Sequence, residues 1–524
     1  MRIQNGSHVY LVSNGDMRES ANQQCWPMQE KTLDAVGKAV SELGFTPIVV
    51  TRHDPERGHG FITKQAEGAQ AIASIPPEAP VIVVLAAWAY SQQICGPLQA
   101  HQGPILVVAN FDGTWPGLVA LLNHSATLSR LAVKHSRLWS KDFTDEWFIA
   151  KLKEWFGTGE INHPNDHFVS GDSLNIDSPL AVELAVDIRT RKRILGQFDP
   201  GCMDMFNAVI DPALLGKTGL LMQFFSQSAL VAKMKTVSDS EAQRCLNWLV
   251  GKSCRFDWGI DPEVHLTPEQ VREQMKMYVA ACRIVYEQRL DAIGIPYQIG
   301  LIDSCPASDL VEGMLNNCVR PPVRVSDGNE IIRRGECIPH FNEGDLGSAV
   351  PQVLMNEIYR ANEMAPETTL HDVRVGHAWQ DDFIWTLLIS GGAPPAHFGG
   401  WKKTTAYRQP PMYFPLGGST CSGVSKPGVI TWARFYEAFG QIGLDCGTGE
   451  VVDLPDEEVQ RRLDETTPVW PIMCAKLHGY GRDELMGTHM SNHITVGYGN
   501  ILHELIVICR ELGIPTRVTK ASLS

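Results

Sequence analysis

Short apolar runs alternate with helix-like stretches over the first third of the chain. The runs contain almost only apolar residues, as strands buried on both faces of a parallel sheet do. A helical pattern over residues 29–43, closed by Gly44, separates the first two runs. This alternation predicts a layered α/β domain over residues 1–165. The four clearest runs cover residues 9–12, 46–50, 81–85 and 105–109.

The pattern changes twice further along the chain. A polar stretch over 158–166 predicts a linker, and residues 166–340 repeat the mixed pattern, with a helix predicted from Thr267 to Leu290. After residue 341, Gly and Pro interrupt short segments, which is typical of a β-rich region. The predicted fold class is therefore α/β, with two layered α/β domains followed by a β-rich C-terminal domain over 341–524.

Charge and composition narrow the classes of partner. Lys and Arg number 45 and Asp and Glu 59, so the net charge is -14, which argues against nucleic acid and anionic membrane surfaces. The longest apolar run, residues 81–89, is shorter than the ~20 residues that span a bilayer. The N-terminus lacks a signal-like apolar core, and the 13 cysteines form no C-x-x-C pair. These features predict a cytoplasmic protein with reduced thiols and no nucleic-acid or membrane partner.

Several familiar catalytic motifs are absent from the sequence. There is no phosphate-binding P-loop, no G-x-G-x-x-G dinucleotide motif and no G-x-S-x-G elbow. His489 and His493 are four residues apart, as in zinc proteases, but Met490 stands where those enzymes need glutamate. These observations argue against nucleotide-dependent, serine-hydrolase and zinc-protease chemistry.

Three segments of the C-terminal region, 340–347, 369–377 and 491–500, each place an acid or a histidine at the boundary of a predicted element. Two carboxylates and one imidazole can form a partly open divalent site, and oxygen-rich ligand sets suit Mn²⁺ or Mg²⁺. Spacing alone is equally compatible with solvated acids and ordinary buried histidines.

These segments resemble motifs of the L-fucose isomerase family, which includes D-arabinose isomerases. Glu343-Gly344-Asp345 is similar to the first ligand motif of that family, Asp372-Val373-Arg374 to the second and Asn492-His493 to the third. Matches occur in order along nearly the whole chain, so the sequence is identified as a member. The further matches are Met17-Arg18-Glu19-Ser20, Ala87-Trp88-Ala89-Tyr90 and, most specifically, Phe111-Asp112-Gly113-Thr114-Trp115-Pro116-Gly117.

The resemblance implies a metal-dependent aldose–ketose isomerase that acts on a free monosaccharide through an enediol. It implies that Glu343, Asp372 and His493 bind the metal, and that the two carboxylates also serve as catalytic acid and base. Mn²⁺ is the expected ion, with Mg²⁺ or Co²⁺ as alternatives. Asp345 is interpreted as a helix cap rather than a ligand. His489 and His377 are near the site in sequence, and either could bind substrate or have a structural role.

The resemblance also implies where the substrate binds. Its expected contacts are Arg18, Trp88, Gln298, Trp470 and Asn492. In the family, first-domain residues such as Arg18 and Trp88 reach the sugar of a neighbouring subunit, which implies a homo-oligomer, either a hexamer or a tetramer.

Two departures leave the identity of the sugar open. The spacing from Glu343 to Asp372 is longer than the family pattern, and no tyrosine stands at 418–420, where the family has an active-site tyrosine. One alternative is an isomerase of an anionic hexose such as sulfoquinovose, for which Arg18, Arg374, Lys402 and Lys403 could supply positive charge. A non-catalytic sugar-binding protein and a metallohydrolase are alternatives of other classes.

Overall fold

The computed structural model describes residues 3–324, 330–331 and 336–524, apart from the side chain of Cys202. Within these residues the chain is a mixed α/β protein with two main parallel sheets, one large, mainly antiparallel sheet and a two-stranded parallel pair. The strands are His8–Val12 (β1), Thr46–Val49 (β2), Val81–Leu85 (β3), Ile105–Asn110 (β4), Ser136–Ser140 (β5), Phe168–Ser170 (β6), Arg193–Phe198 (β7), Leu220–Phe225 (β8), Arg255–Phe256 (β9), Ala292–Gly294 (β10), Thr368–Trp379 (β11), Asp382–Leu388 (β12), Thr405–Ala406 (β13), Gly428–Ala438 (β14), Gln441–Val451 (β15), Ile472–Leu477 (β16), His493–Tyr498 (β17) and Thr516–Thr519 (β18).

Helices cover the sheets and connect their strands. They are Glu19–Glu42 (α1), Gln65–Ala73 (α2), Gln92–Leu98 (α3), Gly117–Arg130 (α4), Glu146–Thr158 (α5), Pro179–Arg191 (α6), Pro212–Gly216 (α7), Gln227–Met234 (α8), Asp239–Gly251 (α9), Pro268–Gln288 (α10), Tyr297–Gly300 (α11), Asp309–Leu315 (α12), Leu346–Ala361 (α13), Pro395–Phe398 (α14), Asp456–Glu465 (α15), Arg482–Thr488 (α16) and Leu502–Leu512 (α17). No helix among the described residues is long and apolar enough to cross a membrane.

The first sheet has five parallel strands in the order β2-β1-β3-β4-β5. The apolar runs of β3 and β4 are buried throughout, as the sequence predicts. The strand order reverses between β1 and β3, and a crevice opens at the carboxyl ends of strands where such a reversal occurs. Arg18 follows β1 and Trp88 follows β3, so both residues lie at this crevice.

Helix α1 begins ten residues earlier than the predicted start at residue 29. Pro27 interrupts the sequence pattern, but the helix continues through it. Ala21, Cys25 and Trp26 lie on the buried face of the added turns. Burial of this face outweighs the hydrogen bond that proline removes.

The second parallel sheet has three strands in the order β10-β7-β8, and α10 packs beside it. The predicted start of α10 is confirmed. The Thr267 side chain accepts a hydrogen bond from the Gln270 backbone, and the Gln270 side chain accepts one in return from Thr267 N, which forms a capping box. The helix ends at Gln288, two residues before the predicted end, because Arg289 adopts a left-handed conformation.

The C-terminal sheet closes on itself. Its strands follow the order β14-β17-β11-β12-β16-β15, and β15 pairs again with β14 along eleven residue pairs, so six strands form a closed barrel. Strand β18 extends the sheet from β15, and β6 pairs with β18. Because β6 comes from residues 168–170, the C-terminal sheet recruits chain from before the predicted boundary at 340. The three-domain division remains a prediction.

The close approach of α2 to α3 yields a test of the packing. A Cβ added to Gly68 would lie 1.8 Å from the carbonyl oxygen of Gln93, whereas one added to Gly157 in α5 meets nothing within 4 Å. We expect Gly68→Ala to destabilise the protein by ~1–3 kcal/mol through overpacking. Gly157→Ala should stabilise it by ~0.5–1 kcal/mol. Thermal unfolding midpoints compare the two variants, and a Gly68→Ala midpoint equal to wild type would contradict this packing.

Candidate active site

A cavity of about 340 Å³ lies where the two parallel sheets meet the barrel. Small-molecule sites typically start at ~300 Å³, so a monosaccharide fits this space. Six of the eight site residues predicted from sequence line it: Arg18, Trp88, Gln298, Glu343, Asp372 and Trp470. The other two, His493 and Asn492, are buried directly behind Asp372.

Arg18 and Trp88 reach this cavity from the same chain that supplies Glu343 and Asp372. The expectation that these two residues reach a neighbour's site is therefore corrected. The crevice at the carboxyl ends of β1 and β3 faces β11 within one chain. The Arg18 guanidinium lies 4.7 Å from the centroid of the Tyr413 ring, which ties the first sheet to the C-terminal region.

Glu343 lies in a short 3₁₀ turn, Asn342–Gly344, immediately before α13. Its backbone is left-handed (φ 56°, ψ 13°), which is unusual for a residue other than glycine. Such a conformation costs roughly 1–3 kcal/mol and persists only where the surroundings hold it. Gln197 Nε2 donates to the carbonyl of Gly344 at 2.7 Å, and the Asn342 amide donates to Glu312. The strain is thus concentrated at the residue that presents its carboxylate to the cavity.

Asp372 and His493 face each other across two neighbouring strands. Asp372 on β11 is the register partner of His493 at the start of β17. Nε2 of His493 lies 3.2 Å from Oδ1 of Asp372 and 3.7 Å from Oε2 of Glu343. Residues that lie far apart in sequence are therefore joined into one trio by antiparallel pairing and by the turn before α13.

The electrostatics of the trio differ from one member to the next. Burial raises the pKa of Glu343 to about 8, and the neighbouring charge of Asp372 adds to this effect against the opposing influence of His493. Burial by itself would lower the pKa of His493, but hydrogen bonds to Asp345 and Asp372 raise it to about 10. Both shifts favour the protonated forms of Glu343 and His493 near neutral pH, and a bound cation would displace those protons.

Asp345 orients His493. It is the N-terminal cap residue of α13 by position, but its side chain makes no capping hydrogen bond, so the interpretation as a cap is corrected. Its Oδ2 lies 2.7 Å from Nδ1 of His493 and also accepts from the Arg434 guanidinium. Both Asp345 and Arg434 are fully buried, and their pairing holds the pKa of Asp345 well below its usual range against the effect of burial. A carboxylate behind a histidine commonly fixes the ring of a metal ligand.

The remaining polar residues near the trio support it rather than line the cavity. Asn492 Nδ2 donates to Asp372 at 3.3 Å, and Asn207 donates to Asn492 at 3.3 Å. His489 contacts the backbone carbonyl of His493 at 3.0 Å, and burial lowers its pKa to about 3. His377 lies 2.9 Å from Glu465 instead, and it does not line the cavity.

The structure also brings in residues that the sequence reading missed. The pocket contains a tyrosine, Tyr413, five residues before Gly418, whereas positions 418–420 hold none, as the sequence shows. Thr114 and Trp115 from the turn after β4 form another wall. That turn belongs to the most specific family-like motif, so the motif itself was the available signal. No sequence motif marked Met203 or Ser390, and only the tertiary structure shows that they line the cavity.

The trio has the donor types of a divalent-metal site. Two carboxylates and an imidazole, with the cavity on one side, suit a hard or borderline cation with open positions. Among the described residues, no group of three His, Cys, Asp or Glu side chains is already spaced as a complete metal site. Here His493 points directly at Asp372, so these two groups bind each other. The chemistry of the three donors nevertheless fits a divalent cation.

A pocket with two carboxylates and an oriented imidazole has groups that can move protons or bind a cation. Residues 400–519 match the family model described as L-fucose isomerase, C-terminal domain. The match covers under a quarter of the chain and includes His493, Arg434, Tyr413 and Trp470, but not the two carboxylates. Over this region the chain is similar to the L-fucose isomerase family, which agrees with the resemblance seen in the sequence and supports a sugar isomerase. No curated protein matches the chain significantly.

The pairing of Asp345 with His493 predicts a specific defect. Asp345→Asn removes the charge that orients the imidazole, so we expect Mn²⁺ affinity to fall ~10- to 100-fold. Calorimetric titration of chelator-treated protein measures this. Glu458→Gln is the matched control, because Glu458 also pairs with a fully buried arginine, Arg462, but does not contact the trio. Equal Mn²⁺ affinity in the two variants would show that Asp345 has no role in metal binding.

Proposed function

We propose that this protein is a metal-dependent aldose–ketose isomerase that acts on an open-chain monosaccharide through an enediol. The observation that carries the proposal is the meeting of Glu343 and Asp372 at one sugar-sized cavity, with His493 held behind them. The family match at residues 400–519 supports the reaction class.

Polar atoms around the cavity favour a ligand rich in hydroxyl groups. Nε1 of Trp88, Oε1 of Gln298 and Nε of Arg374 are buried and have no hydrogen-bond partner among the described residues. Buried polar groups without partners cost free energy, so such atoms usually meet a ligand or an ordered water. Two donors and one acceptor around a single cavity can pair with several sugar hydroxyls at once.

Glu343, Asp372 and His493 would hold the metal, with Mn²⁺ the proposed ion and Mg²⁺ or Co²⁺ as substitutes. The donor set supports this choice. Among the described residues, His493 is the only basic side chain within ion-pair distance of Glu343 or Asp372. A divalent ion bound there would supply a Lewis acid that stabilises negative charge on the reacting sugar oxygens.

The two carboxylates differ in a way that assigns their roles. Asp372 accepts hydrogen bonds from Asn492 and His493, and 22% of its side chain is exposed. Glu343 is more deeply buried and has fewer partners, and its pKa is raised to about 8, near the range suited to proton transfer. We therefore propose that Glu343 carries the proton between C1 and C2, and that Asp372 mainly binds the ion.

The surrounding side chains position the sugar and exclude water. The rings of Trp88, Tyr413 and Trp470 form apolar walls. Trp470 is fixed by a 2.8 Å hydrogen bond from its Nε1 to Gln409. Enclosure by such walls strengthens electrostatic interactions at the reacting carbons and protects the enediol. We further propose a cytoplasmic homo-oligomer, a hexamer or tetramer; the family resemblance supports this, while the cavity contacts of Arg18 and Trp88 within one chain do not require a neighbour.

Metal removal is the first test of the proposal. We expect isomerase activity to disappear after treatment with EDTA and dialysis, and to return best with Mn²⁺ and less well with Mg²⁺ or Co²⁺. The assay is formation of ketose from a panel of aldoses. Full turnover in excess EDTA would contradict a metal-dependent mechanism.

Substitution of the carboxylates separates their roles. Glu343→Gln should lower turnover ~10²- to 10⁴-fold with Mn²⁺ saturating, because it removes the proton carrier. Asp372→Asn should chiefly weaken Mn²⁺ binding. Asp381→Asn, an exposed acid in the turn after β11, is the control and should behave like wild type.

Solvent-deuterium exchange at C2 of the substrate, with metal saturating, distinguishes the two carboxylates. Exchange at the wild-type rate in Glu343→Gln would refute its role as the base. Loss of exchange only in Asp372→Asn would reverse the assignment.

A further inference from the structure

One buried guanidinium at the cavity lacks an acidic partner. Arg374 lines the cavity, only 7% of its surface is exposed, and it forms no ion pair with any acid of the described residues. Its one hydrogen bond runs from Nη2 to the carbonyl of Thr114 at 3.4 Å, and its Nε has no partner. A guanidinium has five donors, so most of its hydrogen-bonding capacity is unused.

The strand itself directs Arg374 into the cavity. Val373 pairs with Leu387 and Val375 with Thr386, so Arg374 is an extra residue on β11, a β-bulge. Bulges beside active sites commonly change the direction of a side chain. The turn after β4 packs against the same place, because a Cβ on Gly113 would lie 3.2 Å from Val375. The local backbone thus holds this charge at the pocket wall.

The other cations that the sequence offered do not serve the same role. Arg18 forms two hydrogen bonds with Asp16, at 2.7 and 2.6 Å, so its charge is neutralised. Lys402 and Lys403 are exposed and do not line the cavity. Among the described residues, Arg374 is thus the cavity cation without a paired acid.

The charges around the cavity extend this observation. Counting them rests on the proposed function, because it includes the divalent ion. With a divalent ion bound, the charges of Glu343 and Asp372 are balanced, and the Asp16–Arg18 pair is already neutral. Asp372 and Asp112 act on Arg374 only from a distance, and Asp372 would then be engaged by the ion. The loaded cavity therefore keeps one uncompensated positive charge in a buried position, which is costly without a counter-ion.

We propose that Arg374 recognises an anionic group on the substrate, so that the enzyme isomerises a monosaccharide bearing a phosphate, sulfonate or carboxylate away from the reacting carbons. Arg374 lies two residues from Asp372, ~7 Å along a strand. This separation is comparable with the length of a six-carbon chain. A hexose with C1 and C2 at the carboxylates would direct its far end toward Arg374, whose planar guanidinium matches such anions.

The test compares hexitols with their own 6-phosphates and 6-deoxy-6-sulfonates by calorimetry on the Mn²⁺-loaded full chain. We expect the anionic forms of at least one hexitol to bind ten or more times more tightly than the neutral parent. This preference should vanish in Arg374→Gln and persist in part in Arg374→Lys. The sulfonate removes any contribution from phosphate chelating the metal, and the two anions together identify the preferred source of charge.

Arg137→Gln is the matched control. Arg137 is also a buried arginine that bonds carbonyl groups, including that of His489, but it does not line the cavity, so the preference should be unchanged. Inorganic sulfate and phosphate measure the affinity of the anion alone.

Equal binding of neutral and anionic hexitols by wild type would overturn the proposal. So would a preference that survives in Arg374→Gln, or free anions that bind as tightly as the hexitol derivatives. Turnover of neutral aldoses without anion preference would leave the isomerase function intact and refute only this inference. Anion preference without any ketose formation would support the role of Arg374 and contradict the proposed isomerase function.

Discussion

The buried carboxylate of Asp345 holds the candidate site together. It lies between the Arg434 guanidinium on β14 and the imidazole of His493 on β17, at the start of α13. Removing either charged partner would leave a charge in the protein interior without compensation, at a cost of ~3–5 kcal/mol. This pairing joins two barrel strands to the helix that follows Glu343. Through it, the direction of Nε2 of His493 is set by the barrel.

A second set of buried acids stands behind Glu343. Burial raises the pKa of Glu312 to about 7, and it raises that of Asp309 well above the usual range, with the charge of Glu312 adding to the effect. Glu312 accepts from Asn342, and Asp309 accepts from Ser390 at 3.1 Å. These contacts brace the strained turn, because both Glu312 and Ser390 contact Asn342. A left-handed glutamate is tolerated there because its neighbours are held on both sides.

The architecture explains how three regions build one pocket. Parallel sheets present the loops at their carboxyl ends, and two such sheets face one rim of the closed barrel. Arg18, Trp88 and Thr114 come from the first sheet, and Gln298 follows β10 of the second. Asp372 and Arg374 come from one barrel strand. The two parallel sheets therefore supply one part of the pocket wall, and the barrel with the turn before α13 supplies the two carboxylates and Arg374.

Much of the fold and of the candidate site could be predicted from the pattern of residues. The buried strands of the first sheet, the capping box at Thr267 and the β-rich C-terminal region follow from local periodicity and capping chemistry, which depend on near neighbours in sequence. The family-like motifs identified Glu343, Asp372 and His493 as candidates because each lies in a short recognisable segment.

What the tertiary structure alone decided depends on contacts between distant segments. Arg434 stands 89 residues from Asp345, and only strand pairing brings them together. Closure of the barrel, the bulge that turns Arg374 inward and the arrival of Arg18 from the same chain arise likewise from long-range packing, which local sequence patterns do not encode.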